Sequence, residues 1–538
     1  MPRAQALAQL QTGDLFDLLV IGGGATGCGI ALDAATRGLK VALIDKNDFA
    51  EGTSSRSTKL LHGGVRYLEA AVKKLDLAQY NLVREGLRER ALLLQNAPHL
   101  SRRIQLVTPL YTWLDVPYVF TGLKFYDLLA GRKNIGHSSL LGKRKALQRF
   151  PMLKSEGLKA GVLYYDGQFL DARMALSIAL TAQHHGAVIA NHVEAVSLLK
   201  QDGQVSGAQL VDTVSGQQWD LLAKGVINAT GPFTDQIRQM DAPAAPALLK
   251  TSSGIHIVLN KSFAPPDTGL MIPETEDGRV LFVLPWEGHA LVGTTDEPAS
   301  LSEHPRPTEE EIAYLLRHVS RYFDLQICRE DIKATWSGLR PLVLDPDATD
   351  TSTLARTHVL QQNRSGLLTI AGGKWTTYRQ MAEDTVDMSI SSFGLLAQSP
   401  CRTHTLKLHG GDDFTAGTDL TLQRDFHLDP EITHHLTRAY GDRATQVCLL
   451  AKKEKLETRL HPAHPYIEAE IIYAVRYELA IHATDLLVRR LSLGLVDSQA
   501  AQAVLPRILT LMGRESNWDD ARLAWEEQEA ATRLEEAI

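Results

Sequence analysis

The stretch that most constrains the fold is DLLVIGGGATGCGIALDAATRGLKVALIDKNDFA, Asp17 to Ala50. Aliphatic residues Leu18 to Ile21 form a strand pattern that runs into G-x-G-x-x-G at Gly22, Gly24 and Gly27. An apolar helix pattern follows, then a second strand, Val41 to Ile44, that ends on Asp45. The glycines have separate tasks: a tight turn, close approach of backbone to a pyrophosphate, and close packing of helix on strand. The helix start supplies unpaired N–H groups and the positive end of a dipole for phosphates. Asp45 lies 18 residues beyond Gly27, where a carboxylate accepts hydrogen bonds from ribose hydroxyls. This strand–turn–helix–strand context predicts a dinucleotide site. Cys28, just inside the helix, reads as a small packing residue.

At 538 residues the chain exceeds what one hydrophobic core organises, so two or three domains are expected. A net charge of −7 argues against nucleic acid as a partner, which would favour a basic surface. The cysteines (Cys28, Cys328, Cys401, Cys448) are scattered with no C-x-x-C pair, so neither a disulfide framework nor a metal site is expected, and a reducing cytoplasm fits. The first residues have no apolar signal-peptide core, and Asp33, Arg37 and Lys40 interrupt the longest apolar run, which rules it out as a membrane span.

AGGKWTTYR, Ala371 to Arg379, resembles a phosphate loop but fails its pattern. Leu368 stands where the first glycine is needed, and Trp375 where Ser or Thr must follow the lysine. It instead repeats an earlier arrangement. GVINATGPFTD, Gly225 to Asp235, is a strand closing in Ala229-Thr230-Gly231, and LLTIAGGKWTTYR is a strand closing on Gly372 and Gly373, with Lys374 and Thr376 opening a helix. Three strand–glycine junctions far apart in the chain predict one nucleotide domain assembled from separate segments, as in large flavoproteins. The expected cofactor is therefore FAD, with the last helix start stabilising negative charge at the flavin's pyrimidine edge.

Gly52 to Ala71, GTSSRSTKLLHGGVRYLEAA, is polar for a segment following such a strand. Thr53, Ser54, Ser55 and Lys59 are candidates for pyrophosphate and flavin contacts, and His62-Gly63-Gly64 would let backbone approach a planar ring. Arg66 and Tyr67 follow. Further on, His256 stands in a β-branched strand pattern, where a histidine is more often a satisfied core residue than a catalyst. Arg340 ends a strand beside Gly338, and Arg356 precedes His358. Cations and one imidazole around a flavin suit a small anion, such as a phosphorylated polyol.

IGGGATGCGIALDAATRG, TSSRSTKLLHGGVRYLE, YYDGQFLDARM, VINATGPFTD, PWEGHALVGTTDE, WSGLRPL and GGKWTTYR, in that order, resemble the FAD-dependent respiratory glycerol-3-phosphate dehydrogenases, mitochondrial-type branch. The resemblance implies oxidation of sn-glycerol 3-phosphate to dihydroxyacetone phosphate by hydride transfer to FAD, with electrons passing to a membrane quinone. It places phosphate and substrate contacts on Arg66, Tyr67, Arg340 and Arg356. It makes His256 the substrate-side imidazole and Lys374 the cation of the last motif. Hydride transfer from C2 also needs a base for the hydroxyl proton, for which His256 is the candidate, with Arg340 fixing the substrate. Asp45 departs from the glutamate that many flavoproteins of this type carry.

The implied fold is α/β, glutathione-reductase- or D-amino-acid-oxidase-like. A discontinuous Rossmann-like FAD-binding domain (1–85, 160–238, 340–398) joins an antiparallel-sheet substrate cap (86–159, 239–339) and a C-terminal helical domain (399–538). In the last of these, Glu478, Asp485, Arg489 and Arg490 read as a salt-bridged helix surface. Val116 to Phe150 sets aromatics and seven Lys/Arg against one acid, Asp127, which favours an anionic membrane surface. A peripheral position on the cytoplasmic membrane is expected, with a homodimer as the candidate assembly. The rival readings are a glycerol-3-phosphate oxidase using oxygen, a flavin-dependent amine oxidase, and a flavin-binding scaffold without turnover.

Overall fold

The computed structural model describes residues 1–64, 77–273, 275–276, 278–344 and 358–535. The strand Phe16–Ile21 lies at the centre of the first sheet, paired in parallel with Val41–Ile44 on one side and Gln218–Asn228 on the other. Val188–Ala190 extends the sheet beyond Val41–Ile44. Leu368–Gly372 extends it beyond Gln218–Asn228 and carries His358–Gln362 as an antiparallel edge. A parallel sheet buries both faces, which explains its unbroken aliphatic strands. Alternate side chains divide accordingly. Leu18 and Val20 pack with the helices Ala25–Thr36, Asp171–His184 and Tyr378–Phe393. Leu19 and Ile21 pack under the helix Arg3–Leu10 and the hairpin Val193–Gln201/Gln204–Asp212.

The second sheet has ten described strands and is mostly antiparallel, as expected, with one parallel pair between Thr268–Ile272 and Ser101–Leu110. Its longest pairing joins Leu249–Leu259 to Ile332–Val343. Ala160–Phe169 belongs to this sheet, paired with Ser101–Leu110, and the chain re-enters the first layer with the helix Asp171–His184. Leu60–Leu61 also pairs here, so the segment after the nucleotide strands passes directly between the two sheets.

The C-terminal residues fold as helices around a separate core. Two are capped as their sequences suggest: Asp429 before Pro430 accepts the Glu431 amide at 2.9 Å, and Asp497 accepts the Ala500 amide at 3.0 Å. The reading of Glu478, Asp485, Arg489 and Arg490 as helix surface is corrected. All four are buried where this domain meets the nucleotide layer. The i, i+4 pair Asp485/Arg489 is as compatible with an interface as with solvent, and only long-range partners distinguish the two.

Candidate functional site

The carboxyl ends of the central strands open on a cleft lined by residues of all three glycine junctions. Its floor is the first glycine turn. Gly22 has φ 110°, and a side chain there would start 2.6 Å from the Ala229 carbonyl oxygen. A Cβ on Gly27 would lie 1.8 Å from the Gly22 carbonyl oxygen, so Gly27 closes the turn from behind rather than lining the cleft. The Ser54 hydroxyl accepts the Ala25 amide at 2.9 Å, and the turn of residues 53–55 is thereby fixed at the helix start. Cys28 is buried and donates to the Gly23 carbonyl at 3.2 Å, and burial pushes its thiol far up, so it is an inert packing residue.

Asp45 faces the cleft with its carboxylate organised by backbone. Gly23 donates to Oδ2 at 2.6 Å and Asn47 to Oδ1 at 2.9 Å. Burial nevertheless pushes this acid up to about 6, because the two amides only partly replace lost water and Glu51 and Asp48 repel its charge. Thr53, Gly231, Gly372, Gly373 and Lys374 line the same cleft. Gly372 and Gly373 have φ 77° and 78°, and a side chain on Gly373 would meet the Met381 sulfur at 2.4 Å. The paired glycines therefore let the chain turn from strand to helix on the cleft wall. Trp375 locks that turn by donating to the Ser54 carbonyl at 2.9 Å. Thr376 is buried behind it.

The segment after Ser55 lies against the second sheet and belongs to a second group of residues. His256 pairs in register with Trp336, Gly254 with Gly338, and Ser252 with Arg340. Alternation places these three pairs on one face. The glycines in the middle make room. A Cβ on Gly254 would lie 2.1 Å from an Arg340 guanidinium nitrogen, and one on Gly338 would lie 2.9 Å from the Arg56 Cβ. The Arg340 guanidinium is thus folded back along the strand towards His256. It is held by Asp296 Oδ1 and the Ser253 carbonyl at 3.0 Å each, the Thr295 carbonyl at 2.9 Å and the Thr294 hydroxyl at 3.1 Å. His256 is buried, with Nε2 2.9 Å from the Thr58 hydroxyl and Nδ1 without a hydrogen-bond partner. Burial, with the Lys59 and Arg340 charges beside it, holds its imidazole well below the usual range, in the neutral form.

Lys59 was expected to meet the cofactor, and its ammonium is instead committed elsewhere. Its donors reach the Ser55 carbonyl at 2.6 Å and the Asp171 oxygens at 2.7 and 2.8 Å, 4.7 Å from the Trp336 ring centroid. Ser55 is buried behind the cleft wall with it. The amide of Gly63 donates to the Tyr126 hydroxyl at 2.7 Å, and a Cβ on Gly63 would strike Leu87, so the approach its small size permits is to neighbouring helices. His62 and Gly64 continue this segment up to the end of its described part. Arg66, Tyr67 and Arg356 lie outside the described residues.

Sequence reasoning missed Asp171, Trp286, Trp336 and the cleft residues Asn47, Glu51 and Glu303. Asp171 had a signal, since it lies within YYDGQFLDARM, but nothing local pairs it with Lys59. Glu303 reaches the cleft from the loop between Glu297–Pro298 and the helix Glu309–Tyr322 and pairs with Lys46. Asp48, His192 and Asp485 form a group with metal-ligand composition, but Arg489 and Arg490 already occupy the carboxylates of the two acids.

A cleft floored by glycines, with no room for a side chain at Gly22 or Gly373, the Asp45 carboxylate on its wall and a helix start with a lysine on it suit a flavin dinucleotide. Fold and cleft define a flavin-dependent oxidoreductase. The family described as FAD dependent oxidoreductase matches residues 17–379, and the C-terminal domain of alpha-glycerophosphate oxidase matches residues 401–523. The mitochondrial glycerol-3-phosphate dehydrogenase of Mesocricetus auratus is 49% identical over 545 residues, covering 99% of this chain and 75% of that protein. The Homo sapiens counterpart is 49% identical over 531 residues, covering 96% and 73%. The crystal structure of the Bacillus halodurans glycerol-3-phosphate dehydrogenase, complexed with FAD, superposes with a TM-score of 0.81 at 30% identity, covering 99% of this chain and 97% of that one. The chain belongs to the FAD-dependent glycerol-3-phosphate dehydrogenase family.

Proposed function

We propose that the protein oxidises sn-glycerol 3-phosphate to dihydroxyacetone phosphate and passes the electrons to a membrane quinone. The observation that carries this reading is the strand pair that sets neutral His256 and the folded-back Arg340 on one face around Gly254 and Gly338. Gly22, Gly24, Asp45, Thr53, Ser54, Gly231, Gly372, Gly373 and Lys374 are the residues that would hold FAD. Bound FAD supplies the hydride acceptor. His256, neutral and with Nδ1 unpartnered, takes the proton of the C2 hydroxyl, and its hydrogen bond to Thr58 fixes the ring. Arg340, braced by Asp296, binds the substrate's phosphate together with Arg66, Tyr67 and Arg356, which contributes chiefly by positioning. Lys374 stabilises negative charge developing beside the cleft wall.

The quinone requires access to a membrane, and among the described residues no helix is long and apolar enough to cross one. The helix Asp115–Ala130 and the turn before it instead expose large apolar side chains: Trp113 at 67%, Leu114 at 86% and Leu128 at 72% of full exposure. Arg132, Lys133, Lys143, Arg144 and Lys145 follow closely in sequence. Apolar anchors with adjacent cations suit the headgroup layer of an anionic bilayer, and we place the protein peripherally on the cytoplasmic membrane by this ridge.

The test is anaerobic mixing of the yellow protein with glycerol 3-phosphate while flavin absorption is followed. Rapid bleaching, recovered by a soluble quinone and only slowly by air, is expected. Fast recovery in air with peroxide would make it an oxidase. No bleaching with FAD bound would remove glycerol 3-phosphate as substrate.

A further inference from the structure

We infer that Arg489 and Arg490 of the helical domain are positioning residues for the cofactor cleft, holding the loop that presents Asp45. The inference rests on the cleft binding FAD, and it adds a role for a domain that, among the described residues, contributes none to the cleft wall. Asp45, Lys46, Asn47, Ala50 and Glu51 form one wall, and Asp48, in the middle of that loop, turns away from the cleft into the protein.

Among the described residues, the hydrogen-bond partners of the Asp48 carboxylate are long-range. Arg490 meets its carboxylate with two nitrogens, at 2.6 Å to Oδ2 and 2.9 Å to Oδ1, and Arg489 Nε reaches Oδ2 at 2.6 Å. Asn191 donates to Oδ1 at 2.9 Å. The guanidinium groups are aimed by their own domain: Arg490 donates to the Glu478 carbonyl at 2.7 Å, and Arg489 to Asp485 at 2.7 Å. Both stand on the π-helical turn Asp485–Arg490, whose wider winding places consecutive arginines on one carboxylate. Arg489 also lies 3.2 Å from Glu51 on the cleft wall.

The loop transmits this hold over two residues. Asn47, next to Asp48, donates its amide to Asp45 Oδ1, and its carbonyl accepts the His192 amide at 2.8 Å. His192 in turn is bound to Asp485 at 3.0 Å. Of the two amides that orient the carboxylate facing the cleft, Gly23 belongs to the glycine turn and Asn47 has a position that depends on the arginine–Asp48 pairing. A buried acid stripped of one guanidinium is strongly disfavoured, and the loop relieves it by turning Asp48 outwards. That movement carries Asn47 and Asp45 with it.

The test uses full-length holoenzyme diluted into buffer, with FAD release followed by its fluorescence, and the melting temperature taken at saturating FAD. Arg490→Gln is expected to speed release about tenfold. Arg476→Gln, which breaks the ion pairs to Glu454 and Glu515 elsewhere in the same domain, is expected to leave release unchanged. If Arg490→Gln also lowers the melting temperature, the Asp48→Asn/Arg490→Gln double variant decides. Release no faster than in Arg490→Gln alone supports the pairing, and additive acceleration overturns it. Unchanged release in Arg490→Gln, or equal acceleration by Arg476→Gln, also overturns it. A wild-type chain that retains no FAD sinks the cofactor reading and this inference together. Equal release from wild type and Arg490→Gln sinks the inference alone.

Discussion

His256 stacks on Trp336, ring centroids 4.1 Å apart and planes 21° from parallel. The two are register partners on adjacent strands, so the contact is set by the sheet rather than by flexible side chains. A cross-strand aromatic partner and a hydroxyl at Nε2 leave the imidazole only Nδ1 with which to meet a proton.

His256→Ala is expected to slow flavin reduction by about two to four orders of magnitude while FAD stays bound, as measured by anaerobic stopped flow. The pH profile carries a second expectation. Because His256 is held well below 6.5, it is already neutral in the folded protein throughout the neutral range. The kcat/KM of the wild type should therefore show no histidine inflection near 6.5. The sign for stability follows: below 6.5 the unfolded chain takes up a proton that the folded chain refuses, so His256 costs stability as pH falls through that value. An inflection near 6.5 that disappears in His256→Ala would refute the neutral imidazole.

Lys59→Met is expected to destabilise the protein by about 3–5 kcal/mol, because it leaves the buried Asp171 carboxylate without a countercharge. Denaturant unfolding of Lys59→Met and of Lys59→Met/Asp171→Asn checks this. The double variant should recover part of the loss. Identical losses in both would mean that the contacts of the ammonium with the Trp286 and Trp336 rings, not the ion pair, supply the stability.

What could be read in the sequence was what is local. Gly22, Gly24 and Asp45 lie within one strand–turn–helix–strand unit, and Gly372-Gly373-Lys374 repeats its logic, so each position carried its own geometric reason. The second group could not be read this way. Gly254 and Gly338 matter because they pair, and nothing in either segment gives the register. Lys59 looked like a cofactor ligand because its neighbours Thr53 and Ser54 suit phosphates, and only Asp171, 112 residues away, turns it elsewhere. Arg490 and Asp48 are 442 residues apart, and the charges around Arg490 would have suited a solvated helix equally well.

Neutralising Lys143, Arg144 and Lys145 to Gln should weaken binding to anionic vesicles by roughly 100-fold, at about 1 kcal/mol for each cation near the surface. Leu114→Ser, at an exposed apolar position, should weaken binding to neutral and anionic vesicles alike. Sedimentation with phosphatidylcholine vesicles, with and without phosphatidylserine, separates the two effects. Unchanged partitioning in both variants would move the membrane contact away from the ridge.

Asp45→Ala should raise the FAD dissociation constant about 10-fold, since it removes an acceptor for ribose hydroxyls and frees the Gly23 and Asn47 amides that organise it. Quenching of FAD fluorescence on titration measures this. The acid's rise to about 6 also fixes a direction with pH. In the folded chain without FAD, Asp45 holds its proton more tightly than in the unfolded chain, whose carboxyl titrates near 3.8. Its contribution to stability is therefore fully present below that value and lost as pH rises through about 6. Cofactor binding runs the other way, because the ribose needs the carboxylate: affinity should be constant above neutral pH and fall as pH drops through 6. Asp45→Asn should flatten that dependence. A wild-type affinity constant from pH 5 to pH 8 would show that the acid is ionised throughout and that the amides of Gly23 and Asn47 outweigh its burial.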